Sequence, residues 1–372
     1  MIQLRYITLL EYPSLHANRL QVIKMAEAFS GLCDFELWVK SFPEDSRGIF
    51  EEYGIQGSIN IKRVGNLGGF WPKSFWAAQA LAKKIRKEPE ETVFYIRDVL
   101  LAFFLTFLSA RFRKQFVFEI HSLGKFPNFV YGRIFRLTEK IISTNSAKKE
   151  AICVRWGLSP QKILVAPNGV DLRLFENLPL KEEARKEFGL PLDKEIVMYT
   201  GSEQKWKGTS IIQELTKNLH GVLFVVVGGR LAARPPSHLA VRPLSESNVR
   251  ILPWMPYAKL PRVLAAADVL LVTVREGDVR SERWTSPIKL PTYMASGVPI
   301  AAPATSAVRE LLDDNSAFLA KENNPASLAE QIRRALQDTE EAGTRALRAR
   351  EKAQKLDWRR RARNILAFIQ TS

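Results

Sequence analysis

The chain has 372 residues, of which 46% are hydrophobic and 25% charged. That is the composition of a soluble globular protein, long enough for two ordinary domains with separate cores, and disorder is not its default state. Its 55 Lys and Arg against 39 Asp and Glu leave a net charge of +16, more than solubility needs, which points to an anionic partner: a phosphate ligand, an acidic membrane surface or nucleic acid.

Cys33 and Cys153 lie far apart and show no metal or redox spacing, so they read as reduced thiols of a cytosolic protein. Residues 1–10 lack the basic start and cleavage site of a signal peptide. The apolar stretch 99–110 is too short to cross a bilayer and reads as a buried helix.

In chain order, 2–10 is an apolar run of strand length, followed by a polar loop with Pro13, Ser14, His16 and Asn18, a helix over 19–29 and a strand over 35–39. The alternation continues with strand 60–64, helix 75–86, strand 93–96, helix 99–112 and strand 116–120. Helix 129–140, strand 141–144, helix 147–156 and strand 163–166 follow. Strands alternating with helices predict a doubly wound, mostly parallel sheet. Pro167, Asn168 and Gly169 then punctuate the chain, and a charged segment runs to Pro191.

The pattern restarts with strand 196–199, a glycine loop over 201–208, helix 211–219 and strand 222–227 ending in Gly228 and Gly229. Strand 249–252, helix 260–266 and strand 269–274 come next. In 285–303, Ser286 is a good N-cap, Pro287 suits the first helical position and Gly297 the left-handed residue past the end. A buried strand over 298–302 follows. A helix start at the carboxyl ends of such strands favours an anion, because its N–H groups and dipole point at it. From 326 onward the chain is helical and basic; Arg359, Arg360, Arg361 and Arg363 precede apolar Ile365, Leu366, Phe368 and Ile369. This last helix either seeks an anionic surface or packs its apolar side on the protein.

Several separated segments together resemble the retaining glycosyltransferases of family 4. They are Val165-Ala166-Pro167-Asn168-Gly169-Val170-Asp171 with Phe175, Tyr199-Thr200-Gly201 with Trp206-Lys207-Gly208, and Ala267-Asp268-Val269. Ser286-Pro287-Ile288-Lys289-Leu290 with Tyr293-Met294-Ala295, Tyr95-Ile96-Arg97-Asp98, Phe118-Glu119-Ile120-His121 and Asp357-Trp358-Arg359-Arg360-Arg361-Ala362 complete the set. The resemblance spans essentially the whole chain. It implies an α/β GT-B fold, two Rossmann-like domains facing across a cleft, with the C-terminal helix crossing back. The domains are expected at 1–170 for the acceptor, 171–355 for the nucleotide-sugar donor, and 356–372 for the terminal helix.

The same resemblance implies the chemistry. A UDP- or GDP-sugar donor releases a diphosphate whose charge grows as the glycosidic bond breaks, so fixed positive charge and N–H donors are needed there. Lys207, framed by Gly201 and Gly208, is placed at the leaving phosphates, with Ser202 where many family members carry arginine and Lys205 as a compensating cation. Ser286, Pro287, Ile288 and Lys289 bring a helix start to the same diphosphate. His121 is placed beside the transferred sugar as a hydrogen-bond donor or stabiliser of an oxocarbenium-like centre. Asn18, Arg97 and Asp98 fall on the acceptor side, although Arg97 and Asp98 could equally form a local ion pair. No metal, cofactor or protein nucleophile is expected.

One departure stands out. Two glutamates eight positions apart, common in the family, are replaced by Trp284 and Thr292. Thr292 can still hydrogen-bond a hydroxyl, and Glu276 or Glu282 can approach from the preceding loop. Pro291, read as lying inside the helix, should kink it.

On the first domain, aromatic and basic residues interleave: Phe70, Trp71, Lys73, Phe75 and Trp76 before Lys83, Lys84, Arg86 and Lys87, then Lys125, Phe126, Phe129, Tyr131, Arg133, Phe135 and Arg136. In such an enzyme they suggest a glycan or lipid-linked acceptor at an anionic cytoplasmic membrane face. The competing readings are a non-catalytic sugar-nucleotide or glycan binder, motivated by Trp284 and Thr292, a sugar-nucleotide epimerase of similar fold, disfavoured by the donor-loop segments, and a nucleic-acid binder, for which no recognition motif is present.

Overall fold

A computed structural model describes residues 2–13, 17–65, 72–201, 210–228, 248–275 and 277–371. The chain divides into two compact units, Met1–Asn168 with Trp358–Ser372, and Gly169–Asp357.

In the first unit β1 (Gln3–Ile7), α1 (Ala17–Ser30), β2 (Asp34–Val39), α2 (Arg47–Tyr53), β3 (Ile61–Arg63) and α3 (Pro72–Ile85) precede β4 (Val93–Ile96). Then come α4 (Val99–Leu108), α5 (Ala110–Lys114), β5 (Phe116–Ile120), α6 (Asn128–Leu137), β6 (Lys140–Ser143), α7 (Ser146–Trp156) and β7 (Ile163–Val165). The strands form one seven-stranded sheet in the order β3-β2-β1-β4-β5-β6-β7, every pairing parallel. Parallel strands covered by helices on both faces are predominantly apolar, which is why the Val93–Ile96 run, and the Phe116–Ile120 run despite Glu119, are legible as strands.

The helix expected over 99–112 is two helices. Ser109 is extended at φ −136°, and its hydroxyl accepts the Phe112 N–H at 3.1 Å, so a serine that looked like helix interior caps a second helix. Helix α2 is not among the expected elements, because its seven residues carry too short an apolar period.

In the second unit α8 (Lys181–Glu187), β8 (Glu195–Thr200), α9 (Ser210–Asn218), β9 (Val222–Val227), β10 (Val249–Leu252), α10 (Leu260–Leu264) and β11 (Val269–Leu271) lead to α11 (Lys289–Ser296). β12 (Ile300–Pro303), α12 (Ser306–Arg309), β13 (Phe318–Ala320), α13 (Pro325–Gln337) and α14 (Thr339–Ala353) follow. The six strands run parallel in the order β10-β9-β8-β11-β12-β13.

The charged segment before Pro191 contains α8 rather than a plain linker. Glu182 and Glu183 in its first turn and Arg185 and Lys186 in its last complement the helix dipole. Arg185 is 5% exposed and donates to the carbonyls of Ala266, Leu192 and Lys194.

The final helix, α15 (Trp358–Gln370), belongs to the first unit, where it packs on α1 and β6 with Trp358, Ala362, Ile365 and Leu366 buried. Of the two readings of this segment, packing on the protein is what the structure shows.

Candidate active site

Each sheet reverses its strand order once, between β1 and β4 in the first unit and between β8 and β11 in the second. The carboxyl ends of the strands at such a reversal leave a crevice, the usual ligand position in an open α/β sheet. The sequence-predicted residues that the structure describes gather at these two places, one in each unit.

In the first unit β4 runs straight into Arg97 and Asp98, and β5 into His121. Asp98 Oδ2 accepts the Leu9 N–H at 3.3 Å, pinning the loop after β1. The Arg97 guanidinium donates to Gln21 Oε1, and Gln21 Nε2 donates to both oxygens of Glu119, at 3.1 and 3.2 Å. Asn18 Oδ1 accepts from Arg19 at 2.9 Å.

Glu119 is fully buried on β5, an unusual place for a carboxylate. It is matched by Arg361 of α15, whose NH2 lies 2.5 Å from Glu119 Oε1 and whose Nε donates to the Pro167 carbonyl at 2.8 Å. The segments holding Glu119 and Arg361 thus meet in one buried ion pair. Burial opposes ionisation here, but the charge of Arg361, with the hydrogen bond from His121 and the charge of Arg97, overrides it and holds the Glu119 carboxyl well below the usual carboxylate range.

His121 Nε2 lies 3.3 Å from Glu119 Oε1, and the side chain is 22% exposed. Burial first, and the Arg97 guanidinium second, push its pKa down to about 4, against the opposing pull of Glu119. His121 is therefore neutral at physiological pH, with a ring that can donate one hydrogen bond. Its backbone carbonyl accepts from the buried ammonium of Lys148 at 3.3 Å.

This has a measurable consequence for stability. An unfolded histidine titrates near 6.5, so between about pH 6.5 and 4 the unfolded chain takes up a proton that the folded chain refuses. Stability should fall through that window as pH drops, by up to about 3 kcal/mol from this group. Urea titrations of the wild type and His121→Gln from pH 7 to 4 should show a flatter profile in the variant; equal slopes would overturn the assignment.

In the second unit β8 ends on Thr200 and Gly201. Gly201 adopts φ +135° and its N–H donates to Val227 O at 2.9 Å, at the carboxyl end of β9. Gly228 follows with φ +89°, and a Cβ there would sit 3.7 Å from the Gly201 backbone. Both positions favour glycine for its positive φ. Ser202, Lys205 and Lys207, the remaining predicted donor-loop residues, lie outside the described residues.

The start of α11 is tied to this strand end. The Tyr293 hydroxyl accepts the Thr200 N–H at 2.7 Å and lies 3.1 Å from Thr200 Oγ1. Lys289, the first residue of α11, places its ammonium 3.8 Å over the Tyr199 ring. A turn of π-helix over Arg280–Trp284 leads in from β11, and Ser286, Pro287, Ile288 and Lys289 are each half-buried.

Three expectations about this helix are corrected. Ser286 is not its N-cap: α11 begins at Lys289 behind Ile288, after a turn closed by the Leu290 N–H donating to Pro287 O at 3.1 Å. Pro291 does not interrupt it, because the later start puts proline at the third helical position, where its missing N–H has no intrahelical partner to lose. Thr292 is 3% exposed and its hydroxyl donates to Ile288 O at 3.2 Å, so it serves the helix rather than presenting its hydroxyl outward. Gly297 is left-handed at φ +73°, as its position after the helix predicts.

Glu282 Oε1 accepts the Gly277 N–H at 2.9 Å, and Glu276 lies outside the described residues. Asp268, within the family-like segment Ala267-Asp268-Val269, sits at the amino edge of the sheet, the far end from Gly201. It binds Arg185 at 2.6 Å, Lys181 at 2.7 Å and the Ile196 N–H at 2.7 Å, a structural junction. Among the described residues, no group of three or more His, Cys, Asp and Glu is placed to hold a metal ion.

Gln21 and Lys148 were missed in the sequence. Each sits in a helix among other polar residues, where nothing local separates a buried polar side chain from a solvated one.

The first unit's sequence matches the family described as Glycosyltransferase Family 4 over residues 22–174, and the second matches Glycosyl transferases group 1 over 181–355. The chain belongs to the glycosyltransferases of family 4.

Among its relatives is the D-inositol 3-phosphate glycosyltransferase of Kineococcus radiotolerans, 26% identical over 248 residues, an alignment covering 61% of this chain and 55% of that protein. This family 4 chain thus aligns with about half the length of that curated relative. In fold it resembles sucrose-phosphate synthase from Thermosynechococcus elongatus, with TM-score 0.76 and 18% identity, covering 99% of this chain and 98% of the other. It also resembles Anabaena HepE in complex with UDP-glucose, with TM-score 0.75 and 17% identity over 99% of both chains. These likenesses, with the two all-parallel α/β units, establish the GT-B fold for this family 4 member.

Proposed function

We propose that the chain is a retaining, metal-independent glycosyltransferase that moves a sugar from a UDP- or GDP-sugar to a hydroxyl of a glycan or lipid-linked acceptor. The observation that carries this reading is the junction of β8, β9 and α11. There two positive-φ glycines, a helix start and the Lys289 ammonium are held together by the Tyr293–Thr200 hydrogen bonds.

Backbone N–H groups and a fixed cation at a strand-order reversal suit a diphosphate that gains charge as it leaves. The UDP-glucose held by Anabaena HepE supports a donor of this class. In the proposed reaction the bond from the sugar's anomeric carbon to the diphosphate oxygen breaks, and the acceptor oxygen bonds that carbon on the same face. The acceptor's proton passes to the released diphosphate, so no protein nucleophile is required. Neutral His121 donates a hydrogen bond to the sugar, with Asn18, Arg97 and Asp98 on the acceptor side. Ser202, Lys205 and Lys207 complete the donor loop in this proposal.

The test is a thermal-shift screen of UDP, GDP and their sugars. A ligand at a hundredfold excess over its dissociation constant stabilises the folded state by about 2.7 kcal/mol, enough for a clear rise in melting temperature. No response to any nucleotide would remove the donor site altogether.

One observation favours a second reading, a non-catalytic binder. Where family members commonly carry a carboxylate, Thr292 is buried and its hydroxyl is engaged by the helix. Stabilisation by a nucleotide sugar without release of free sugar or transfer to any acceptor would establish that reading instead.

A further inference from the structure

Helix α4 (VLLAFFLTFL) is apolar all round, a pattern normal for a helix enclosed on every side. It is not enclosed here. Leu101, Ala102 and Leu105 are fully buried, but Phe103 and Phe104 on its other face are only half-buried and Phe107 is 54% exposed.

These rings continue onto the neighbouring helices. Phe103 lies 5.1 Å from Phe107 and 6.1 Å from Phe129 of α6, while Phe104 lies 5.5 Å from Phe75 of α3, itself 5.5 Å from Trp76. Phe129 and Trp76 are 67% and 53% exposed. The result is one connected aromatic ridge across three helices, and contiguous apolar surface of this kind marks an interaction site. Not every aromatic residue of the interleaved stretch contributes: Tyr131 and Phe135 are fully buried in the core.

The rim is cationic. The Arg133 guanidinium stacks 3.6 Å from the Phe107 ring centre and donates to Thr106 Oγ1 at 2.8 Å; Arg113 donates to Thr106 O at 2.8 Å. Arg136 stands exposed one turn further along α6. Residues 72–137 carry 12 Lys and Arg against 5 Asp and Glu, and one of those five is the buried Glu119.

We propose that the α3–α4–α6 face docks on an anionic lipid bilayer, its aromatic rings entering the boundary between headgroups and acyl chains while Arg113, Arg133 and Arg136 meet lipid phosphates. Trp and Phe beside surface cations are the side chains suited to that depth, and each cation near an anionic leaflet adds attraction that salt screens. A ten-residue helix lies on such a surface rather than across it, and among the described residues no helix is long and apolar enough to cross a membrane.

The experiment is cosedimentation with vesicles of phosphatidylcholine alone and of phosphatidylcholine mixed with phosphatidylglycerol, at low and high salt. The wild type should pellet with the mixed vesicles at low salt and be released by high salt. The double variant Phe107→Ser, Phe129→Ser should partition at least about tenfold more weakly, since it loses two exposed rings, and Phe129→Ser alone should fall in between. The variants should keep the wild-type unfolding midpoint and response to nucleotide, which separates loss of docking from loss of fold or of the donor site. Absence of wild-type binding to mixed vesicles, or undiminished binding by Phe129→Ser and the double variant, would overturn the proposal. So would a concentration-dependent dimer that the substitutions abolish without vesicles, because the face would then belong to a second copy of the chain.

Discussion

Replacing Arg361 with methionine is expected to destabilise the protein by about 3–5 kcal/mol, the usual cost of leaving one member of a buried ion pair uncompensated. Arg361 is 5% exposed, lies 2.5 Å from a fully buried carboxylate and donates to the carbonyls of Ala166 and Pro167. In Arg361→Met the groups left around Glu119 are the Gln21 amide, neutral His121 and the indirect charge of Arg97, without the direct guanidinium bond that compensates a carboxylate out of water. Urea denaturation should show the loss directly. The double variant Glu119→Gln, Arg361→Met should recover most of it, because no buried charge is then left unpaired. If both variants are equally unstable, the packing of α15 and not the ion pair is what holds it.

Substituting the cations of the proposed donor site should act on turnover instead. Lys207→Ala and Lys289→Ala are each expected to lower kcat by about 10²–10³-fold, the usual effect of removing one preorganised group that stabilises developing negative charge. Lys289 is half-buried at the first residue of α11 with its ammonium over the Tyr199 ring, so its position is set before any ligand arrives. Steady-state transfer or donor hydrolysis measures this, with the melting temperature as control. Unchanged kcat in both variants, with activity intact in the wild type, would rule out charge stabilisation from this loop and helix start.

Much of this architecture was legible because parallel strands buried on both faces are predominantly apolar. Val93–Ile96 and Val222–Val227 are the runs that say so. Helices announced only by charge or by a single capping serine were not legible. The charged run of α8 buries Arg185, and Ser109 splits an apolar run that reads as one helix.

At the candidate site the sequence located strand ends well and side-chain partners poorly. His121, Arg97 and Gly201 fall at the carboxyl ends of β5, β4 and β8 because a strand's end is local information. That Arg97 would take Gln21 rather than Asp98 was not visible, since the two helical turns of α1 that carry Gln21 arrive from more than seventy residues away.

What the sequence determined by itself was the alternation of strands and helices, the family, and the glycines that positive φ demands at Gly201, Gly228 and Gly297. Each follows from a neighbour's chemistry or a short period along the chain. Only the tertiary structure decided that Glu119 meets Arg361 across 242 positions, that Thr292 turns its hydroxyl into its own helix, and that the rings of α3, α4 and α6 form one exposed ridge. Burial and ion pairing are set by which elements pack together, and that is a property of the folded chain rather than of any local stretch of it.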